Sequence, residues 1–164
     1  MDITRRCDYA FRMLRALRQA QDAPLSVAEV AEREGIPYSF ARSIQHDLTK
    51  AGFITTMRGA HGGIALGCDL HNLTVLQVVE AMQGSVALSA CVGNAESCSH
   101  CPTCSYHQLW AGASALLSGY FASIPLDDLL EQGAALPAVQ AALGCSSGEN
   151  ARESNNADEN GCLL

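Results

Sequence analysis

The segment from residue 26 to residue 66 constrains the fold most strongly, because two helical patterns in it are followed by a β-hairpin pattern. Ser26-Val27-Ala28-Glu29 is a capping-box sequence, which predicts the start of a short helix, and Gly35 lies in the turn after it. Pro37 then leads into a second amphipathic helix that ends near Gly52. A short helix, a turn with glycine and an amphipathic helix together predict a helix-turn-helix.

The second helix of this pattern separates apolar from polar residues. Phe40, Ile44 and Leu48 recur at four-residue spacing, and we expect them to pack inward. The second helix of a helix-turn-helix can lie in the major groove of DNA. We therefore predict DNA contacts from the polar residues of this helix, which are Ser39, Arg42, Ser43, Gln45 and His46.

A β-hairpin is predicted directly after the helix-turn-helix. Two β-prone runs, residues 53–57 and 64–66, flank the glycine-rich sequence Arg58-Gly59-Ala60-His61-Gly62-Gly63. A hairpin in this place is a wing. We expect Arg58, Gly59 and His61 at its tip to reach the backbone or the minor groove of DNA, where cationic side chains are attracted.

Helical periodicity also appears on both sides of this segment, at about residues 5–20, 74–84 and 105–121, with a short amphipathic piece at 126–130. The predicted fold is mainly α with a small β-hairpin, a winged helix-turn-helix plus a long dimerisation helix. Four regions follow: a DNA-binding domain at 1–84, a cysteine-rich cluster-binding loop at 85–107, the dimerisation helix and C-terminal helices at 105–144, and a disordered acidic tail at 145–164. The stripe expected to pack on a partner helix is Leu109, Ala113, Leu116, Leu117 and Tyr120.

The net charge of −7 argues against nucleic acid as a partner, but the distribution of charge reverses that inference. Residues 1–67 hold nine of the ten Lys and Arg against seven Asp and Glu, whereas residues 68–164 hold one against ten. A chain of this kind presents its basic half to phosphate. No apolar run is long enough for a membrane span and no signal-peptide pattern is present, so we expect a cytoplasmic protein without a membrane partner. No catalytic constellation is evident, so we expect no enzyme activity.

Four of the eight cysteines fall between residues 91 and 104, and His107 follows them. The spacing Cys91-x6-Cys98-x2-Cys101-x2-Cys104-x2-His107 collects thiolate and imidazole ligands, which suit zinc or an iron–sulfur cluster. A structural zinc site or a thiol redox switch is therefore an alternative to a cluster. A ferredoxin-like electron carrier is a more distant one, because the ferredoxin run requires a fourth cysteine and position 108 is Gln.

Several short motifs, in this order, resemble the family of winged-helix regulators that includes IscR, NsrR and RirA. The resemblance covers about residues 3–135. Its motifs are Asp8-Tyr9-Ala10 with Leu14-Arg15-Ala16-Leu17, Val27-Ala28-Glu29-Val30-Ala31, Ala51-Gly52-Phe53-Ile54, the wing sequence from Arg58 to Gly63, Leu73-Thr74 with Val78-Val79, and the cysteine loop running into Leu109-Trp110.

This resemblance implies a homodimer that binds a double-stranded DNA operator and senses iron–sulfur cluster status, iron, redox state or nitric oxide through a 2Fe-2S or 4Fe-4S cluster. The cysteine ligands that it implies are Cys91, Cys98 and Cys104, although the gap from 91 to 98 is one residue longer than in IscR-like members. His107 matches a ligand of IscR-like proteins, and Asp8 matches one of NsrR-like proteins. Because Cys101 is an extra thiol that could replace either of them, the identity of the fourth ligand stays open.

The chain departs from the family pattern at one position of the predicted recognition helix. Arg42 stands where IscR-like members carry an acidic residue. An operator preference therefore does not carry over from those members.

Overall fold

The computed structural model describes residues 2–21, 23–59, 62–94, 96 and 98–146. His61 and residues 147–164 of the predicted tail lie outside these ranges. Within them the chain forms eight α-helices and one two-stranded antiparallel sheet, which confirms the predicted mainly α fold with a small hairpin. The elements are α1 Arg5–Gln19, α2 Val27–Glu34, α3 Tyr38–Lys50, β1 Ile54–Met57, β2 Gly63–Leu66, α4 Val75–Gln83, α5 Ala90–Gly93, α6 Ser105–Ala122, α7 Leu126–Gln132 and α8 Pro137–Ser146, with 3-10 turns at Cys101–Thr103 and Gly133–Ala135.

Helix α1 lies at the centre of the N-terminal core, where it packs on α2, α3 and α4. Thr4 caps it, because its hydroxyl accepts a hydrogen bond from the Cys7 backbone N–H at 3.2 Å. Its residues Ala10, Met13, Leu14 and Leu17 are all buried in this core.

Helix α2 begins with the predicted capping box. Ser26 Oγ accepts from the Glu29 backbone N–H at 3.1 Å, and the Glu29 carboxylate accepts from the Ser26 N–H at 2.7 Å. Gly35 ends the helix with φ of +63°, a left-handed conformation that glycine adopts at no steric cost. The turn between α2 and α3 therefore follows directly from local sequence.

The inward face of α3 differs from the prediction at one position. Ala41, Ile44 and Leu48 are buried, whereas Phe40 is 46% exposed and lies edge-on against the Tyr9 ring at 6.0 Å. The physical reason is that an α-helix has 3.6 residues per turn. Residues spaced four and then four apart therefore shift around the helix, away from its buried side. A spacing of three and then four follows the buried side.

The wing is held against the start of α2. Strands β1 and β2 pair from Ile54 with Leu66 to Met57 with Gly63. Leu25, which precedes α2, exchanges two backbone hydrogen bonds with Ile64, of 3.0 Å and 2.7 Å. A Cβ on Gly63 would lie 2.5 Å from the Leu25 carbonyl oxygen, so this approach requires glycine. The hairpin is thus fixed relative to the helix-turn-helix.

Helix α6 packs on α4 and α5. The predicted stripe divides between two sides of this helix: Leu117 and Tyr120 pack against the core, whereas Leu109 and Leu116 are 58% and 78% exposed. Backbone hydrogen bonds from Val75 to Ile124 and from Leu126 to Leu73 join the starts of α4 and α7. Helix α8 continues through Ser146, so the first two residues of the predicted tail are helical.

Candidate metal centre and DNA-binding surface

The cysteine-rich segment folds so that ligands from three elements meet. Cys91 lies on α5, Cys101 begins the 3-10 turn before α6, and His107 lies in the first turn of α6. One ligand atom from each residue lies within 4.8 Å of the other two. Two of these atoms, His107 Nδ1 and Cys91 Sγ, are 3.5 Å apart. The three residues thus form a group that can hold a metal ion.

The thiols of this group have different environments. Cys91 Sγ lies 3.3 Å from the Ser89 hydroxyl, and hydrogen bonds first from Ser89 and then from His107 lower the pKa of Cys91. Cys101 is only 8% exposed, and the pKa of its thiol is raised, first by burial and then by the nearby thiolates of Cys91 and Cys98. A bound cation would stabilise the deprotonated, metal-binding form of these cysteines.

The other predicted ligands occupy separate places. Cys98 is next to Cys101, whose backbone N–H donates to the Cys98 carbonyl oxygen at 3.3 Å. Cys104 is half-buried at the N-cap of α6 and does not belong to the group of three. Asp8 lies on α1, where its carboxylate is 2.7 Å from the Arg12 guanidinium. The single chain therefore brings together Cys91, Cys101 and His107, with Cys98 adjacent.

The ligand atoms of these residues fit both metal groups that the sequence suggested, zinc and an iron–sulfur cluster. Thiolate sulfur and imidazole nitrogen are ligands of structural zinc and of iron–sulfur clusters. The loop is also attached to α6 before the first cysteine, because Ser114 Oγ accepts from the Leu88 backbone N–H at 3.0 Å and donates to the Trp110 carbonyl at 2.7 Å. Changes at the ligands can therefore reach α6 directly.

A second candidate surface lies on the exposed side of α3 and the adjoining strand. A groove of about 440 Å³ is lined by Arg42, Gln45, His46, Thr49, Lys50 and Thr56. Gln45 Nε2 donates to Thr56 Oγ1 at 3.3 Å and so links the helix to the wing. Three of the lining residues are basic or can become cationic, which suits a phosphate-rich partner.

The other predicted contact residues that the structure describes do not line this groove. Ser39 is exposed on α3, and Arg58 and Gly59 are exposed after β1, where Gly59 has φ of +123°. Ser43 is exposed too, but its hydroxyl accepts from Arg6 Nη1 at 3.1 Å. His61 lies outside the described residues. Of the predicted contact residues, Arg42, Gln45 and His46 line the groove together, and Ser43 is engaged by α1.

Sequence reasoning missed Thr49, Lys50 and Thr56, which line the groove, and Arg6, which contacts α3. Lys50 was detectable, because it lies four residues after His46 on the same helical face. Thr56 required knowledge of how the wing packs on α3. Arg6 binds Asp47 and Ser43 of α3 across about forty residues of sequence, and no local pattern signals that pairing.

Residues 3–132 match the model of the Rrf2 family, which is described as iron-dependent transcriptional regulators. The chain belongs to the Rrf2 family. One of its curated relatives is the HTH-type transcriptional regulator IscR of Photobacterium profundum. It is 34% identical over 131 residues, which span 79% of this chain and 76% of the relative. IscR of Photorhabdus laumondii is 33% identical over 131 residues, which span 79% of each protein.

Solved structures show the same Rrf2 fold. IscR of T. potens superposes with a TM-score of 0.65 and 21% identity, over 80% of this chain and 87% of the other. CymR, described as the global cysteine regulator of B. subtilis, gives a TM-score of 0.66 and 19% identity, over 80% and 97%. The predicted winged-helix fold and family resemblance are confirmed.

Membership of the Rrf2 family makes the chain a DNA-binding transcriptional regulator. The expectation of a regulator rather than an enzyme is confirmed, and the ferredoxin-like alternative finds no support among these relatives. No helix in the described part of the chain is long and apolar enough to cross a membrane.

Proposed function

We propose that this protein is a homodimeric regulator whose affinity for its DNA operator depends on an iron–sulfur cluster bound by the segment that runs from α5 into the first turn of α6. The observation that carries the proposal is the meeting of Cys91, Cys101 and His107 at the start of α6. The description of the Rrf2 family as iron-dependent supports iron as the metal. The predicted ligands Cys91, Cys98 and Cys104, with His107, Asp8 or Cys101 as the fourth, all stay candidates at this step.

The proposed dimer interface is the exposed side of α6. Tyr106, Leu109, Trp110 and Leu116 are between 40% and 78% exposed on this helix. A contiguous set of large apolar side chains left in water favours burial against another surface. A second copy of the chain, related by two-fold symmetry, would pair the same residues with themselves.

The proposed DNA contacts are those of the groove on α3 and the tip of the wing. Ser39, Arg42, Ser43, Gln45 and His46 would face the major groove, and Arg58, Gly59 and His61 the sugar-phosphate backbone or the minor groove. In a symmetric dimer the two α3 helices would read half-sites about one helical turn apart.

The switch follows from where the ligands lie. The cluster supplies a shared electrophilic partner for the thiolates and the imidazole. Without it the ligand side chains would no longer be joined to one another, so the segment between Leu88 and His107 would lose its cross-links and its anchoring to α6 would change. A shift of α6 tilts the two α3 helices relative to their half-sites. A coupling free energy of about 1–3 kcal/mol would change operator affinity roughly 5- to 150-fold.

A mononuclear zinc site is the second candidate. In a tetrahedral site with a metal–sulfur bond of about 2.3 Å, the sulfurs lie roughly 3.8 Å apart. The mutual separations within 4.8 Å among Cys91, Cys101 and His107 suit that size. Zinc would then brace the loop, and a thiol redox change would be the signal.

Anaerobic purification tests these proposals together. We expect a coloured protein that contains iron and acid-labile sulfide, and whose affinity for a duplex selected from a random pool changes at least fivefold when iron is removed. Affinity should also fall steeply with salt, because phosphate contacts release counterions. Colourless protein that contains zinc supports the second candidate, and unchanged affinity after iron removal contradicts the proposed switch.

A further inference from the structure

We propose that Arg42 sets the base preference of this protein, and that it does so by donating two hydrogen bonds to one guanine in each half-site of the operator. The inference rests on the proposed function, because it concerns the DNA contacts of α3, and it adds which base they select. Guanine offers two acceptors, N7 and O6, in the major groove, and a planar guanidinium can donate to both at once. Contacts to base edges carry sequence information, whereas contacts to phosphates do not.

Arg42 lies where a recognition helix contacts base edges. It is the fifth residue of α3, which begins at Tyr38, and its side chain is exposed. Base contacts come from the N-terminal part of such a helix. Lys50, the other permanent cation of α3, is the last residue of the helix. Position along the helix thus favours a base contact for Arg42 and a phosphate contact for Lys50.

The Arg42 guanidinium is available to an acceptor outside the protein. In the described part of the chain it makes no hydrogen bond and no ion pair. The single carboxylate of α3, that of Asp47, is paired with Arg6 of α1. Arg42 lines the groove of about 440 Å³ and also a second cavity of about 280 Å³ beside Tyr38. The guanidinium can therefore bind a base without first breaking a bond within the protein.

Three other polar side chains among the predicted contacts of α3 each have a partner within the protein. These pairs are Ser43 with Arg6 at 3.1 Å, Gln45 with Thr56 at 3.3 Å, and His46 with Asp47 at 3.5 Å. Ser39 has no such partner among the described residues, but a hydroxyl both donates and accepts, so it does not distinguish one base from another. Arg42 is therefore the predicted contact residue of α3 that is both unpaired and able to select a base.

Modified duplexes test the assignment on the natural chain. A duplex is selected from a random pool, and each guanine is replaced in turn, in both half-sites. The replacement is 7-deazaguanine, which lacks the N7 acceptor, or inosine, which keeps N7 and O6 and lacks only the minor-groove amino group. We expect one guanine per half-site at which 7-deazaguanine lowers the affinity measured by anisotropy at least about fivefold and inosine does not. Equal affinity for all the 7-deazaguanine duplexes overturns the proposal.

Two alanine variants link that guanine to Arg42. Arg42→Ala should bind the selected duplex about 5- to 150-fold more weakly and should no longer distinguish guanine from 7-deazaguanine. Lys50→Ala is the matched control in the same groove. It should weaken binding to both duplexes by the same factor and still distinguish them, as expected for a phosphate contact. An Arg42→Ala protein that still distinguishes the two duplexes contradicts the proposal, whatever its overall affinity.

These outcomes are separable from failure of the proposed function, whose test is the effect of iron removal. An affinity that changes with iron but not with 7-deazaguanine keeps the switch and overturns the assignment of Arg42. An affinity that depends on 7-deazaguanine through Arg42 but not on iron supports the assignment and overturns the switch.

Discussion

The guanidinium of Arg6 in α1 forms an ion pair with the carboxylate of Asp47 in α3 and also donates to Ser43 Oγ at 3.1 Å. The pair lowers the pKa of Asp47, chiefly through the hydrogen bond from Arg6. Both side chains are about a third exposed, at 35% and 32%. Arg6, which lies outside the helix-turn-helix, thus binds one side of α3, the proposed recognition helix.

Arg6→Ala is expected to weaken DNA binding more than it weakens the fold. An ion pair this exposed contributes about 0.2–1 kcal/mol to stability. Operator affinity should fall by at least about fivefold, or about 1 kcal/mol, because α3 loses the contact that orients it. Fluorescence anisotropy with a selected duplex and urea unfolding measure the two effects.

The double-mutant cycle with Asp47→Ala supplies the control for that experiment. If Arg6 acts by holding α3, Asp47→Ala reproduces most of the loss and the double variant adds little. Independent, additive losses would instead show that Arg6 acts on DNA by itself.

Leu116→Glu is expected to separate the proposed dimer. Leu116 is 78% exposed on α6, and burial of a leucine contributes about 1.5–3 kcal/mol. Because a two-fold interface loses this contribution twice, the dissociation constant should rise roughly 100-fold or more. Sedimentation equilibrium measures it. Leu143→Glu on α8 is the matched control and should leave the oligomeric state unchanged, and a dimeric Leu116→Glu protein would exclude this face of α6.

The contact between α1 and α7 predicts a pH dependence of stability. Arg18 binds Asp127, whose side chain is 14% exposed, and Arg18 is the largest cause of the lowered pKa of Asp127 from its ordinary value of 3.8. Because the folded-state pKa lies below the unfolded one, this stabilisation is complete above the unfolded pKa. It is lost as pH falls through the folded value.

Asp127→Asn should therefore be less stable than the natural chain at pH 7, and the difference should shrink as pH falls below the ordinary aspartate pKa. Urea unfolding at a series of pH values gives the comparison. Asp128→Asn, one residue further along α7, is the matched control and should show a smaller difference at pH 7. A difference for Asp127→Asn that is constant with pH would contradict the assignment.

The side chain of Gln83 connects the end of α4 to the residues before α1, and we expect it to couple the cysteine-rich segment to α1. Its side-chain oxygen accepts from the Thr4 N–H at 3.1 Å and the Thr4 hydroxyl at 3.2 Å, and its amide nitrogen donates to the Asp2 carbonyl at 3.2 Å. Gln83 is the last residue of α4, immediately before the segment that leads to Cys91. It therefore joins the start of the loop to the residues just before Arg6.

Gln83→Ala is expected to reduce the difference in DNA affinity between iron-loaded and iron-free protein by at least about half, because the connection to the N-terminus is lost. Affinity is measured for both states by anisotropy. Gln83→Glu, which keeps the acceptor for Thr4 and loses the donor to Asp2, should have a smaller effect. An unchanged ratio of affinities in Gln83→Ala would show that the signal does not pass through this contact.

Much of the fold follows from local sequence. The capping box at Ser26, the turn at Gly35 and the β-hairpin after the helix-turn-helix are all readable from neighbouring residues, and the structure confirms them. Each is an interaction within a few residues or across one hairpin, so its physical cause is contained in a short window of sequence.

The sequence by itself determined the helix-turn-helix, the hairpin and a cysteine loop that is suited to a metal, because helical period, turn residues and ligand types are properties of short segments. The tertiary structure decided which thiols meet, that Phe40 turns away from the core, and that Arg6 and Gln83 attach the N-terminus to α3 and α4. These depend on the packing angles of whole elements, which residue spacing does not specify.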